Sequence, residues 1–404
     1  MIFNTIIIGA GPAGLFTAIS IERNDTLLLE KNSNPGQKLL IAGSGRCNIT
    51  HSGAITNFFL HYGKHGKFLK NALKEFSNVN FIDFFKNHGL ITVTDKNGKV
   101  FPETDRSYDI LQSLLQECNH IGVTIKTNSL VVSVSKNDNL FTVVTTNEKF
   151  YCVNLVIATG GITYPNTGST GDGYSFARSF GHSIVTPKPA LTPVFVKDYR
   201  MANLAGVSLP GVLISLYRSN IKIAEHVGDV GFTHKGLSGP GILDFSRHFE
   251  VNDLLRFNFI NCNEEAFRRH IIDTTVKQGN MSIQTLLRNF GLPKSLMLVV
   301  LEMVDIEPRD VLSNITTKKR NQLIELLCSF PFTIGQLGGS KIAMVTAGGV
   351  TLAEVSTKSM MSNLVSNLFF VGEVLDIDGD TGGYNIQAAI STGYIAGKTI
   401  RQNG

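Results

Sequence analysis

Three stretches of this 404-residue chain have the residue types and spacing to grip a dinucleotide. The first, Gly9-Ala10-Gly11-Pro12-Ala13-Gly14, directly follows the apolar run Thr5-Ile6-Ile7-Ile8. In a G-x-G-x-x-G turn between strand and helix, the first glycine permits the tight turn. The second lets the backbone approach a pyrophosphate, and the third lets the helix pack closely on the strand. The second stretch ends in Glu30, which follows Thr26-Leu27-Leu28-Leu29 and lies 21 residues after Gly9. A carboxylate there accepts hydrogen bonds from a ribose diol and disfavours a 2′-phosphate, so FAD or NAD is expected and NADP is not. The third lies near the other end: Gly372-Glu373, then Thr381-Gly382-Gly383-Tyr384-Asn385-Ile386. A helix starting there would aim its positive end at a flavin ring and stabilise negative charge on the reduced form. An NAD dehydrogenase has no need of that element, so the combination predicts FAD.

Further candidates lie between these segments. Lys38 and the loop Gly43-Ser44-Gly45-Arg46-Cys47-Asn48 offer cations, an amide and glycines to a pyrophosphate or a flavin edge. A surface loop whose Arg46 is held by a local carboxylate is the competing reading. Cys47 is a candidate proton donor, although an isolated cysteine is commonly an inert apolar residue. Ala158-Thr159-Gly160-Gly161 closes a predicted strand with small residues, where backbone can approach a cofactor. Residues 167–173 (TGSTGDG) read either as a phosphate nest before a helix at 174–180 or as a plain helix cap. Residues 228–241 (GDVGFTHKGLSGPG) read as a lid or substrate loop, with His234 for proton transfer and Lys235 for an anion. A solvated loop histidine would look the same. No second strand–GxGxxG–helix unit occurs, so NADH or NADPH is expected to dock transiently at the flavin.

The elements that must position these residues follow from periodicity and punctuation. Residues 2–8 and 26–29 read as strands and 15–21 as a helix. Residues 66–89 read as helical, 91–94 and 99–101 as a hairpin, and 109–118 as a helix. Strands are expected at 123–135, 141–146 and 152–157. Pro187, Pro189 and Pro193 mark a boundary. Beyond it, short strands and turns run to 261, and mainly helical sequence follows, including 264–278, 283–289 and 319–329. Residues 368–371 then form a last core strand and 383–400 a helix. The fold class is α/β, with a discontinuous Rossmann-like FAD-binding domain at 1–191 and 341–404. An insert occupies 192–340, β-rich over 192–261 and helical over 262–330.

Composition narrows the class. The longest apolar runs, such as Leu296 to Leu301, are too short to span a bilayer, so no membrane partner is expected. The N-terminal apolar run leads into the glycine turn without a basic start or cleavage site, so no signal peptide is expected. The 5 cysteines include no C-x-x-C, which argues against a redox disulfide or a metal site and for a reducing cytoplasm. A net charge of +5 permits a nucleic-acid partner without requiring one. Residues 191–330 carry 16 Lys+Arg against 14 Asp+Glu. Within them, Lys318-Lys319-Arg320 and Arg268-Arg269 are the phosphate-contact candidates.

The chain resembles the YhiN-like (BaiN-type) family of NAD(P)/FAD-dependent oxidoreductases. The stretches that carry the resemblance are GAGPAG at 9–14, GQKLLIAGSGRCNITH at 36–51, VFPETDRSYDIL at 100–111 and ATGG at 158–161. They continue with TGSTGDGY at 167–174, GHSIVTPKPALTPV at 181–194, FTHKGLSGPGIL at 232–243, TAGGV at 346–350 and GEVLDIDGDTGGYNIQ at 372–387. The resemblance implies a glutathione-reductase-type FAD domain, interrupted by an insert with a β-barrel-like part and a helical part. It implies FAD contacts at Gly9, Gly11, Gly14, Glu30, Lys31, Arg46, Cys47, Asn48, Val131, Gly160, Gly372, Glu373, Asn385 and Ile386. Two positions depart from the family pattern: Ser44 stands where a glycine is frequent, and Ala388 where an aromatic residue is.

The family's activities are diverse: reduction of steroid-like enones, oxidation of aminoacetone, and reduction of a uridine in large-subunit rRNA to dihydrouridine. The expectation is a cytoplasmic FAD-dependent oxidoreductase that reduces a conjugated C=C at the expense of NAD(P)H. Its substrate is a small molecule or large-subunit rRNA. An amine or aminoketone oxidase using O2 and a non-catalytic flavin-binding redox sensor are the alternatives.

Overall fold

The computed structural model describes residues 2–403. These form two compact units, one of residues 2–190 and 340–403, the other of Leu191–Gly339.

The first unit is built on a mainly parallel sheet. Strand β1 (Ile2–Ile8) lies between β2 (Thr26–Leu29) and the strand Lys149–Ile157, parallel to both. Thr124–Lys126 extends the parallel part beyond β2, and Leu368–Phe370 adds to the far end of Lys149–Ile157. Val131–Asn137 and Leu140–Thr145 continue it as an antiparallel meander. Ile6, Ile7, Leu28, Val156 and Phe370 are fully buried. Continuous apolar runs are what a parallel sheet covered on both faces requires. Helix α1 (Pro12–Ile21) is buried at every position from Ala13 to Ile21, because the C-terminal helix Tyr384–Asn403 packs along it.

Local chemistry places most element ends. The helical stretch expected at 66–89 is two helices, Gly66–Glu75 and Asn78–Asn87, separated by a capping box of Ser77 and Asn80. The single strand expected at 123–135 is two, broken around Asn128, whose φ is 51°. Pro187 and Pro189, expected as boundary marks, lie inside the strand Ile184–Ala190. Among the described residues that strand pairs only with Val345–Val350, and it bulges between Val185 and Lys188, so the missing N–H groups cost the ladder little.

In the second unit, the described residues form a closed barrel. Its strand order is Val194–Val196, Gly236–Ser238, Ile221–Phe232, Ser208–Arg218, Leu254–Asn258 and Phe330–Leu337. Helices Glu264–Lys277, Ile283–Arg288, Lys294–Met303 and Thr317–Cys328 supply the helical part. Within the apolar run Leu296 to Leu301 of the third, which periodicity did not single out, Leu296, Met297, Val300 and Leu301 are buried and Leu298 is exposed. The unit has its own core, including Ile214, Leu255, Phe257, Phe267 and Leu296. No described helix is long and apolar enough to cross a membrane.

A buried polar clasp closes the first unit beside Leu368–Phe370. The His182 side chain is 0% exposed. Its Nδ1 lies 3.1 Å from Oε2 of Glu354 and its Nε2 2.8 Å from Oγ of Ser362. Burial holds this imidazole below its ordinary pKa, outweighing the upward pull of Glu354. The unfolded chain therefore takes up a proton below about pH 6.5 that the folded chain resists, and stability falls as pH drops through that range. His182→Gln is expected to lower the melting temperature at neutral pH and to flatten its decline between about pH 7 and about pH 5. An equally steep decline in the variant would place the acid sensitivity elsewhere.

Candidate cofactor site

The three glycines of the N-terminal turn have separate jobs. Gly9 has φ 106°, and a Cβ there would lie 2.5 Å from the carbonyl oxygen of Ala158. A Cβ on Gly14 would lie 1.9 Å from the carbonyl oxygen of Gly9. These two are fixed by strand–turn–helix packing. Around a Cβ on Gly11, by contrast, no atom lies within 4 Å. The space that the second glycine leaves open is where a pyrophosphate is expected, at the N-terminus of α1 with Pro12 in its first turn. Glu30 is buried at the tip of β2, where Oε2 accepts from the N–H of Ala10 at 3.0 Å and Oε1 from that of Asn32 at 2.9 Å. A carboxylate has about four acceptor positions, so a ribose diol can still be accommodated.

Glu373 is the hub of the neighbouring region. Its carboxylate accepts from Lys38 Nζ at 2.8 Å, Thr163 Oγ1 at 3.1 Å and the N–H of Thr346 at 2.9 Å. The contact is so close that a Cβ on Gly161 would lie 2.8 Å from Oε1 of Glu373 and 2.1 Å from Oγ1 of Thr346. Lys38, Gly161 and Glu373, far apart in sequence, thus meet at one point. Gly372 closes the circle, since a Cβ there would lie 2.7 Å from the Cβ of Ala13 in α1. Gly160, with φ 71°, and Thr159 lie between, at the end of Lys149–Ile157. The candidate residues therefore gather at the carboxyl ends of the parallel strands, where open α/β sheets bind ligands.

The C-terminal helix begins next to this rim. A Cβ on Gly383 would collide with the Thr50 backbone at 2.6 Å. Oγ1 of Thr50 donates to Oε1 of the fully buried Gln387 at 2.6 Å. Asn385 spends its amide locally, accepting from the N–H of Gly379 at 2.8 Å and donating to its carbonyl at 2.9 Å. Ile386 packs against the core. Val131 follows a segment tied to the end of β2 by the bond from Ser129 N–H to the Glu30 carbonyl.

Other candidates are held by partners within the protein. Arg46 is half-exposed, paired with Asp105 at 2.8 Å and lying 4.3 Å over the Phe101 ring. Gly45 has φ 87° and allows the loop to turn there. Cys47 is 0% exposed, and burial pushes its thiol up to about 12. Lys31 pairs with Asp172 at 2.6 Å. Of the two readings of 167–173, a phosphate nest or a plain loop and helix cap, that pair favours the second. The N–H groups of Thr167, Gly168, Thr170 and Gly171 donate to carbonyls within the protein, and the Asp172 carboxylate would repel an anion.

Of the two readings of 228–241, a lid or a substrate loop, the lid is corrected. Its residues form barrel strands and the helix Pro240–Phe245. A Cβ on Gly236 would lie 2.0 Å from the Val194 carbonyl, and one on Gly228 2.5 Å from Cα of Gly241. These glycines serve close packing, not motion. His234 and Lys235 are exposed in the tight turn between two of the strands.

Sequence reasoning missed one cluster. His61 Nδ1 lies 3.0 Å from Oδ2 of Asp380, and its ring stacks on Tyr384 with centroids 4.0 Å apart. His51 stacks on the same Tyr384 at 5.4 Å, and the Tyr62 hydroxyl donates to the Tyr384 carbonyl at 2.8 Å. The only sequence signal is the run of histidines at 51, 61 and 65, with no spacing that predicts a carboxylate partner more than 300 residues away.

A dinucleotide fits these residues. Gly11 leaves a cradle that a side chain would fill, and Oδ1 of Asn48 and Oγ1 of Thr159 are buried without a hydrogen-bond partner. Among the described residues no group of three or more His, Cys, Asp or Glu could hold a metal ion.

The chain is similar along its length to known proteins. It is 30% identical to the ribosomal RNA dihydrouridine synthase of Haemophilus influenzae, over 98% of this chain and 98% of that protein. It is 31% identical, with the same coverage of both, to the 3-dehydro-bile acid Δ(4,6)-reductase of Clostridium scindens. Its fold is similar to that of the 3-ketosteroid-Δ4-(5α)-dehydrogenase of Rhodococcus jostii, with a TM-score of 0.54 over 98% of this chain and 96% of the other at 15% identity. The model of the HI0933-like protein Rossmann domain family matches residues 3–399, and the chain belongs to that family.

Proposed function

We propose that this flavin-dependent oxidoreductase uses FAD, reduced by NADH or NADPH, to saturate a C=C bond conjugated to a carbonyl, and that its substrate is a uridine of large-subunit rRNA. One observation carries the reading. The relatives that match 98% of the chain are named for dihydrouridine formation and for bile-acid Δ(4,6) reduction, and both reactions remove a conjugated double bond. Bound flavin supplies the hydride, and the chain supplies position and a proton. Gly9 and Gly14 shape the turn, Gly11 leaves the room, Glu30 faces the ribose, and the Lys38–Glu373 pair organises the rim nearer the C-terminal helix. Such a substrate puts the enzyme's work in the cytoplasm.

Charge alone does not select RNA. Arg268 and Arg269 are paired with Glu264 and Glu265, and Lys319 with Asp305. Exposed pairs of this kind are weak, contributing about 0–1 kcal/mol, and phosphates can compete for their cations. A small enone as substrate is the second reading, favoured by the bile-acid reductase relative.

Two measurements test the proposal. Anaerobic NADH or NADPH is expected to bleach the bound flavin, and a flavin that neither reduces would leave a redox sensor. Large-subunit rRNA from a strain lacking this gene is expected to lose a dihydrouridine that the purified, reduced protein restores. Unchanged rRNA together with turnover of a small enone would select the second reading, and turnover of an aminoketone with O2 would select an oxidase. For the cofactor, Gly11→Val is expected to fold with a near-normal melting temperature but to purify without flavin. Gly14→Val is expected to lose the fold as well, because its side chain meets backbone. A yellow Gly11→Val protein would refute the pyrophosphate assignment.

A further inference from the structure

We propose that His61 is the proton donor for this reduction and that Asp380 is its positioning residue, an inference that rests on the reductase reading above. Asp380 lies two residues before Gly382, on the loop that leads into the C-terminal helix and its candidate flavin contacts. That loop is held firmly. Asn385 bonds to Gly379, the N–H of Asp380 donates to the His61 carbonyl at 2.9 Å, and a Cβ on Gly379 would lie 2.8 Å from the Tyr62 ring. His61 is thus fixed to the loop by its backbone, by Nδ1 on Asp380 and by its stack on Tyr384. Its side chain is still 37% exposed, and its Nε2 makes no hydrogen bond to a described residue.

A carboxylate that orients one ring nitrogen while the other faces outward is the arrangement of a general acid or base. His65 also has a carboxylate nearby, Asp376 at 3.7 Å, but its side chain is only 12% exposed, and three further candidates lack the arrangement. Cys47 is buried with its thiol pushed up to about 12. Both ring nitrogens of His51 lie at carbonyl oxygens, of Ser52 and of Asn97. Tyr62 is buried, which pushes its phenol well above the ordinary value.

The step balances with reduced nicotinamide as the ultimate reductant. Hydride adds to one carbon of the conjugated C=C, and its π pair moves toward the carbon next to the carbonyl. That carbon takes the Nε2 proton, leaving a neutral imidazole whose Nδ1–H stays on Asp380. Water then returns the proton to Nε2.

His61→Asn separates this role from a structural one, because its amide N–H can replace Nδ1 on Asp380 while nothing replaces Nε2. With cyclohex-2-enone and with rRNA from a strain lacking the gene as acceptors, turnover is expected to fall about a hundredfold. Flavin content and KM are expected to hold. Asp380→Asn is expected to fall less, by about tenfold. Nitrogen-15 NMR of the wild-type protein supplies a readout that needs neither turnover nor a folded variant: the neutral His61 ring is expected to carry its proton on Nδ1. A neutral ring protonated on Nε2 overturns the assignment, and so does wild-type turnover in His61→Asn. Wild-type protein that nicotinamide reduces but that converts neither acceptor removes the reductase reading and this role with it. Unchanged turnover in His61→Asn removes the role alone.

Discussion

Backbone-to-backbone contact between α1 and the C-terminal helix is the constraint on which the rest of the first unit depends. A Cβ on Gly393 would lie 2.7 Å from the Ala13 carbonyl, and one on Gly397 2.7 Å from that of Thr17. Helices ordinarily pack with axes about 8–10 Å apart, and the distance is set by the side chains at the contact. With glycine at both positions, the last helix settles onto the first, and α1 is enclosed between it and the sheet. An enclosed helix must be apolar all round, which is why Leu15, Phe16, Ala18 and Ile21 occupy every side of it. The same contact brings Gly372 onto Ala13, so the two glycine-rich segments share a wall although they stand at opposite ends of the chain.

Electrostatics then organises what packing has brought together. Removing Glu373 and Lys38 partly from water costs free energy that a single ion pair does not reliably return. Here the carboxylate has three donors from three segments, and each lone pair used offsets part of that cost. Glu30 works differently. Its partners are backbone N–H groups of its own turn and of the glycine loop, so it stiffens the loop without adding a second cation to the site. The result is a rim with a fixed carboxylate at the tip of β2 and a paired cation near the C-terminal helix.

Local features were legible in the sequence because local physics makes them. The apolar runs at 2–8 and 26–29, the glycine turn between them and the acid at 30 all depend on near neighbours, and each stands where periodicity puts it. What sequence could not show were pairings across long separations. His182 finds Glu354 and Ser362 from 172 and 180 residues away, and His61 finds Asp380 from 319 residues away. No spacing rule relates such residues, since their distance is set by how the sheet and its helices close. Pro187, Pro189 and Pro193 do flank the division between the two units, which falls after Ala190, but that two of them lie inside a strand was not legible, because whether a strand tolerates a missing N–H is a property of the sheet.

Glycine shows the same limit most sharply. In sequence, GAGPAG at 9–14 and the glycines of 228–241 both stand out as places where backbone must do something unusual. In space they divide into two kinds. Gly9, Gly14, Gly236 and Gly241 exclude a side chain because backbone already fills the volume, so they are fixed by the fold. Gly11 excludes nothing that the protein itself contains, and its φ of −81° is open to any residue. Gly339 shares both properties, so it is the place of Gly11, at the N-terminus of α1 directly after β1, that turns its open space into an argument for a pyrophosphate.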